Sequence, residues 1–161
     1  MKHQGPHPSP PPKRAREITL RSDARALAES CPGAQSRRAA RRITQFLDRE
    51  LAPTGISSAQ LALMAQIAAA EDDTLGALAE RTGLEQSTLS RNLRTLENAE
   101  LVEITAVESD LRRRAAWLTE TGARRLEAAI PVWRKAQAKL AREISPALIQ
   151  KLARATEALG A

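Results

Sequence analysis

Residues 79–104 read AERTGLEQSTLSRNLRTLENAELVEI, and the reading of this stretch decides the fold. Its middle, QSTLSRNLRT, has helical spacing, with leucines at 89, 93 and 96 on one stripe. The other face holds Ser87, Ser90, Arg91, Arg94 and Thr95, and no acid stands between Gln86 and Leu96. One apolar stripe and one face of hydroxyls and guanidiniums describe a helix pinned to a core that offers its far side to an anionic partner.

The flanks support this reading. Immediately upstream, TLGALAERTGL predicts a short helix with Thr74 as its cap and Gly83 as its end. About three residues separate the two helices. Ala79, four residues before Gly83, lets them cross closely, and the glycine can take a left-handed turn. This is a helix-turn-helix pattern. Downstream, LVEITA (101–106) alternates and is β-branched, predicting a strand; VESDLRRR predicts a polar loop and AAWLT a second strand. A hairpin directly after a helix-turn-helix is a wing. An α-helix fits the major groove of DNA, where Arg pairs with guanine and Ser or Thr contacts base edges or phosphates. The expected contacts are therefore Gln86, Ser87, Thr88, Ser90, Arg91 and Arg94 from the helix. Arg112, Arg113 and Arg114 of the wing are expected to reach phosphates or the minor groove.

Further out, QSRRAARRITQFLDRELA (35–52) places Ala39, Ile43, Phe46, Leu47 and Leu51 at helical spacing before Pro53 and Gly55. SSAQLALMAQIAAA begins with a capping box, Ser57 with Gln60, and its apolar body predicts a buried helix. After the wing, Thr119 caps a long helix. Its Leu126, Ile130, Trp133, Gln137, Leu140 and Ile144 form a coiled-coil-like seam with one polar break, and Pro131 is expected to kink it. The last helix is amphipathic, with Ser145 as cap, Pro146 at the first turn, and Leu148, Ile149, Leu152 and Leu159 facing inward. Residues 17–30 suggest a short, weakly specified helix. Residues 1–16, rich in Pro and basic side chains, suggest a disordered tail.

The totals bound the functions. The 161 residues carry a net charge of +6, but residues 1–42 hold 10 Lys/Arg against 3 Asp/Glu, whereas residues 43–161 hold 15 against 16. The positive excess belongs to the N-terminus, so a nucleic-acid argument rests on local clusters rather than on the isoelectric point. One cysteine, Cys31, excludes an intrachain disulfide framework. No apolar run has transmembrane length and none resembles a signal peptide, so a soluble cytoplasmic protein is expected. The two histidines, His3 and His7, both lie in the tail. No phosphate-binding glycine loop, metal-ligand cluster or nucleophile–base pair is present; the expectation is no enzyme, no cofactor and no metal.

LAERTGLEQSTLSRNLRTLENAELV, then DLRRR, then LTETG, in this order and spacing, resemble the MarR family of winged-helix transcriptional regulators from about residue 31 to 159. The resemblance implies that Arg112 is the wing arginine that enters the minor groove and that Asp110 braces the wing, ahead of the Leu118-Thr119-x-x-Gly122 motif. Two positions depart from the family pattern: Glu100 stands where Gly is usual before the strand, and Leu111 replaces an arginine. The implied fold class is mostly α with a small β-wing, a winged helix-turn-helix domain (56–118) plus helical dimerisation regions (35–52 and 119–160). Residues 1–30 would be an extension and 31–161 the MarR-like domain.

The resemblance further implies a homodimer packed through Leu126, Ile130, Trp133, Leu140, Ile144, Leu148 and Leu152. Its partner would be double-stranded DNA with a pseudo-palindromic operator. It would act as a repressor released by a small-molecule effector, often a phenolic or aromatic acid, with Trp133 and Phe46 as pocket residues. Simple core packing stays open for Trp133, and Arg41 and Arg42 are either partners for an acid or a solvated face. Some members sense peroxide through a cysteine near the first helix. Cys31 lies close to that place, near Arg37 and Arg38, but the chain has no Tyr to hold a thiolate. Redox sensing and a plain, partly buried thiol both stay open for it. The competing function of another class is a winged-helix module for protein–protein contact, which the near-neutral body of the chain allows.

Overall fold

The computed structural model describes residues 13–70, 74–107 and 110–160, with the side chains of 13–18, 107, 110–113 and 160 outside that description. The tail 1–12, with His3 and His7, therefore lies outside the described residues. The described residues form seven α-helices and one hairpin, in the order α1 (Lys13–Ser30), α2 (Pro32–Leu51), α3 (Ser58–Ala68), α4 (Leu75–Thr82), α5 (Gln86–Asn98), β1 (Val102–Val107), β2 (Asp110–Leu118), α6 (Glu120–Glu143) and α7 (Pro146–Glu157). Short 3-10 turns come after α2 and α7. Among the described residues, no helix is long and apolar enough to cross a membrane. The chain divides into two compact units, residues 1–43 and 44–161.

In the first unit, α1 is an 18-residue helix, where a disordered tail and a weak short helix were expected. The N-terminal prolines end at Pro12, and Lys, Arg, Ala, Leu and Glu dominate residues 13–30, all good helix formers. The break before α2 is slight. Cys31 N donates to Leu27 O at 2.9 Å, Gln35 N donates to Cys31 O at 3.1 Å, and Pro32 opens α2, where a missing N–H costs nothing.

The second unit is organised by its caps. The Ser57–Gln60 box closes reciprocally at the start of α3, Thr74 accepts from Ala77 N at α4, and Thr119 accepts from Gly122 N at α6. Ser145 occupies the N-cap of α7, but its side chain makes no capping bond. Gly83 ends α4 at φ 61°. The core gathers Leu51, Met64, Leu78, Leu93 and Leu96, each fully buried, with Leu61, Ile67, Leu89, Val102 and Ala129 around them. Pro131 lies within α6 without ending it.

Three sequence expectations change. The apolar α3 is buried only through Leu61, Leu63, Met64 and Ile67, while Ala62, Ala65 and Gln66 are exposed. β2 begins at Asp110, so residues 110–114 of the segment read as a loop are strand. Its backbone joins the ladder, with Ala106 opposite Arg114 and a register shift between Ala106 and Val107. Leu148, Leu152 and Leu159 do not face inward; they are 60%, 51% and 81% exposed, because nothing within the described chain covers that face of α7.

The end of α5 shows how Glu100 fits where glycine is usual. Glu100 N donates to Glu97 O and Leu101 N to Leu96 O, both at 2.9 Å, the paired bonds of a Schellman motif. Glu100 sits at φ 56°, the left-handed position that glycine normally fills. The Thr119 hydroxyl donates to Glu100 O at 2.7 Å and accepts from Gly122 N at 2.9 Å. One side chain thus holds the strained turn and starts α6. Gly122 packs so closely that a Cβ there would collide with the Leu101 carbonyl.

Two substitutions should therefore move stability in opposite directions. Glu100→Gly relieves a left-handed L-residue and should stabilise by about 1 kcal/mol, raising Tm by roughly 2–4 °C in calorimetry. Gly122→Ala should destabilise by roughly 1–3 kcal/mol through backbone overpacking.

Candidate nucleic-acid interface

The outward face of α5 is built by the burial of the inward one. Leu89, Leu93 and Leu96 are buried, which fixes the helix phase and leaves Gln86, Ser87, Thr88, Ser90, Arg91, Arg94 and Thr95 exposed. Thr95 returns its hydroxyl to Arg91 O at 3.0 Å. Among the described residues, the guanidiniums of Arg91 and Arg94 have no hydrogen-bond or ion-pair partner. Two guanidiniums and three hydroxyls thus share one uncompensated surface. Glu85 occupies the N-cap of α5 without a side-chain bond, and its main-chain oxygen accepts from Thr88 N and Leu89 N, both at 2.9 Å.

The wing is joined to α5 through the Glu100 turn. Its ladder pairs Val102 with Leu118 and Glu103 with Trp117, and Ala115 and Ala116 of β2 are both buried. Arg114 is exposed and its Nη2 donates to Ile104 O at 3.4 Å. Asp110, Arg112 and Arg113 hold positions on β2, with their side chains outside the described residues. The arginines expected on a loop are thus carried by a strand.

A separate site lies in the same unit. Leu47 of α2, Ser58, Leu61, Ala62, Ala65, Gln66 and Ala69 on and beside α3, and Leu126, Ile130, Trp133 and Gln137 of α6 surround a cavity of about 580 Å3. Its size suits a small organic ligand. Trp133 lines it, Phe46 does not, and Arg41 and Arg42 belong to the first unit. Helical phase put Phe46 on the apolar side of α2 without saying which neighbour that side meets. The sequence reading also missed the cavity's polar edge. Ser58 N and Oγ donate to Asp48 Oδ1 at 2.7 and 2.6 Å, placing a carboxylate at the N-terminus of α3. The one signal in the sequence was the alanine spacing of α3, which hollows out one face of an apolar helix.

The expected dimer residues separate into groups. Leu126 is 7% exposed and belongs to the chain's own core, and Ile130 packs against that core. Leu140 and Ile144 are half-buried, and Trp133, Leu148 and Leu152 are exposed. Cys31 is half-buried at the junction of α1 and α2. Among the described residues, no group of three or more His, Cys, Asp or Glu could hold a metal ion.

Comparison with known proteins agrees with this geometry. A family model described as MarR family matches residues 54–113. The transcriptional regulator MosR of M. tuberculosis, solved in complex with DNA, is 33% identical with a TM-score of 0.75, over 81% of this chain and 97% of that one. AbsC, a MarR family transcriptional regulator from Streptomyces coelicolor, is 25% identical with a TM-score of 0.66, over 83% and 92% of the two chains. The PcaV transcriptional regulator from Streptomyces coelicolor, solved with its natural ligand, shares the fold at 19% identity and a TM-score of 0.73, over 83% and 96%. Among curated proteins, none matches the chain.

A face without structural duty can be removed without harm to the fold. The combined change of Ser87, Ser90, Arg91 and Arg94 to Ala should leave Tm unchanged or slightly raised, since Ala is the best helix former. Leu93→Ala, on the opposite side, should cost roughly 2–5 kcal/mol in a denaturant titration.

Proposed function

The chain belongs to the MarR family of DNA-binding, winged-helix transcriptional regulators, and from that premise we propose that it is a homodimeric repressor released by a small-molecule effector. The observation that carries the DNA reading is the exposed Ser87–Ser90–Arg91–Arg94 face of α5, held outward by three buried leucines and free of internal partners among the described residues. Each protomer sets α5 into a major groove, with Gln86, Ser87, Thr88, Ser90, Arg91 and Arg94 toward bases and phosphates. Arg112, Arg113 and Arg114 of the wing reach the backbone or the minor groove, and Asp110 braces the wing. In a two-fold dimer the half-sites lie roughly 34 Å apart, one turn of DNA, so the operator is a pseudo-palindrome.

The dimer is supported by the apolar face of α7. Leu148 and Leu152 present more than half of their surface, and burying what remains of each would contribute roughly 1–1.5 kcal/mol, about half of the full-burial value. Leu140 near the end of α6 and Ile144 just after it, both half-buried, would join that surface in the dimer. Release is a population shift: an effector that prefers a dimer with misplaced recognition helices competes with DNA, which prefers the other state. The physical link is α6. Its N-terminus is tied to the end of α5 through Thr119 and Gly122, and further along the helix Leu126, Ile130, Trp133 and Gln137 form a wall of the cavity.

Fluorescence anisotropy on the gene's own upstream DNA tests the proposal. Tight binding to one pseudo-palindrome that weakens steeply with salt is expected. Arg91→Ala and Arg112→Ala should each cost roughly 1–3 kcal/mol; weak binding that ignores sequence and both substitutions would sink the reading. The double change Leu148→Asp with Leu152→Asp should convert the dimer to a monomer in light scattering and abolish operator binding with it.

A further inference from the structure

The cavity beside Trp133 has a chemical preference written into its walls. None of its lining residues carries a charge, and α3, which forms the longest wall, has no charged residue from Ser58 to Ala68. The side chains lining it that can hydrogen-bond belong to Ser58, Gln66, Gln137 and Trp133, whose indole only donates. Ser58 is already committed, since its hydroxyl donates to Asp48 Oδ1 at 2.6 Å. One hydrogen bond behind the wall there is thus a carboxylate. The ammonium of Lys139, two residues beyond Gln137, is held by Glu50 at 2.6 Å. The electrostatics therefore run against an anion. A carboxylate entering this space would lose water without gaining a cation and would meet Asp48, a charge of its own sign. A neutral amide, alcohol or ketone meets two carboxamides, each able to donate and to accept.

We propose that this cavity, granted the effector reading above on which the inference rests, selects uncharged aromatic ligands and rejects aromatic carboxylates, with Asp48 as the discriminating charge and Gln66 and Gln137 as the orienting groups. The regulator would then respond to neutral aromatic compounds and be blind to the corresponding acids.

A matched pair of probes tests this. 2-Naphthamide and 2-naphthoate have nearly the same shape and differ by one charge at about pH 7.5, far above the carboxylate range. Equilibrium dialysis against the full chain should find the amide bound at least tenfold more tightly. Asp48→Asn keeps an acceptor for Ser58 and removes the charge, so it should narrow the gap several-fold. Gln137→Lys, which places a cation in the wall, should reverse the preference, and it keeps the test open if the Asp48 variant does not fold. Naphthoate binding as tightly as the amide to the unaltered chain overturns the selectivity and leaves the effector site standing. A gap that Asp48→Asn leaves untouched removes Asp48 as the discriminator and overturns the proposal as stated. Binding of neither probe takes down the effector reading of the cavity, and the selectivity with it.

Discussion

The Thr119 hydroxyl is the point on which the geometry of the second unit turns. It donates to the Glu100 carbonyl and accepts from Gly122 N, joining the end of α5, the base of the wing and the start of α6. The turn it holds is strained, because a glutamate occupies a left-handed position. Thr119 N also donates to Leu101 O at 3.2 Å, so the strand cannot leave without disturbing the cap. Because a Cβ at residue 122 would strike Leu101, the first turn of α6 lies directly on the root of β1. The reading helix, the wing and the long helix consequently move as neighbours that share bonds. That is the physical condition for a signal at α6 to be felt at α5.

Two surfaces hang from this joint with opposite chemistry. The α5 face concentrates cations and hydroxyls on a body that is nearly neutral. The cavity has no charged residue in its walls, and the hydroxyl of Ser58 at its edge is bonded to the Asp48 carboxylate. Both arise from the same device, a helix whose one side is buried. In α5 the other side is polar. In α3 it is lined with alanines too small to fill the space before α6, and the unfilled space is the cavity.

What was legible in the sequence was local. The Ser57–Gln60 box, the caps at Thr74 and Thr119, the turn at Gly83 and the leucine stripe of α5 each depend on residues within four positions of one another. Their side chains declare the backbone they need. What was not legible needed a distant partner. The Asp48–Ser58 bonds span ten residues, and the choice of Trp133 over Phe46 as a cavity wall depends on which helices meet. The start of β2 was hidden because its arginines look like loop, yet their backbone groups find β1. The direction of Leu148 and Leu152 was misjudged because amphipathic spacing identifies an apolar face without identifying what covers it. In α1, the prolines before residue 13 coloured the reading of helix-forming residues after them.

The poverty of aromatic residues has its own consequence. The chain contains two tryptophans and no tyrosine. Trp117 stands on β2 in the wing and Trp133 on the wall of the cavity. Tryptophan emission from this protein therefore has two sources, one on the wing and one on the wall of the cavity. With either tryptophan replaced by phenylalanine, the spectrum reports one surface alone. Events at the wing and events at the cavity can then be timed separately, without attaching any dye.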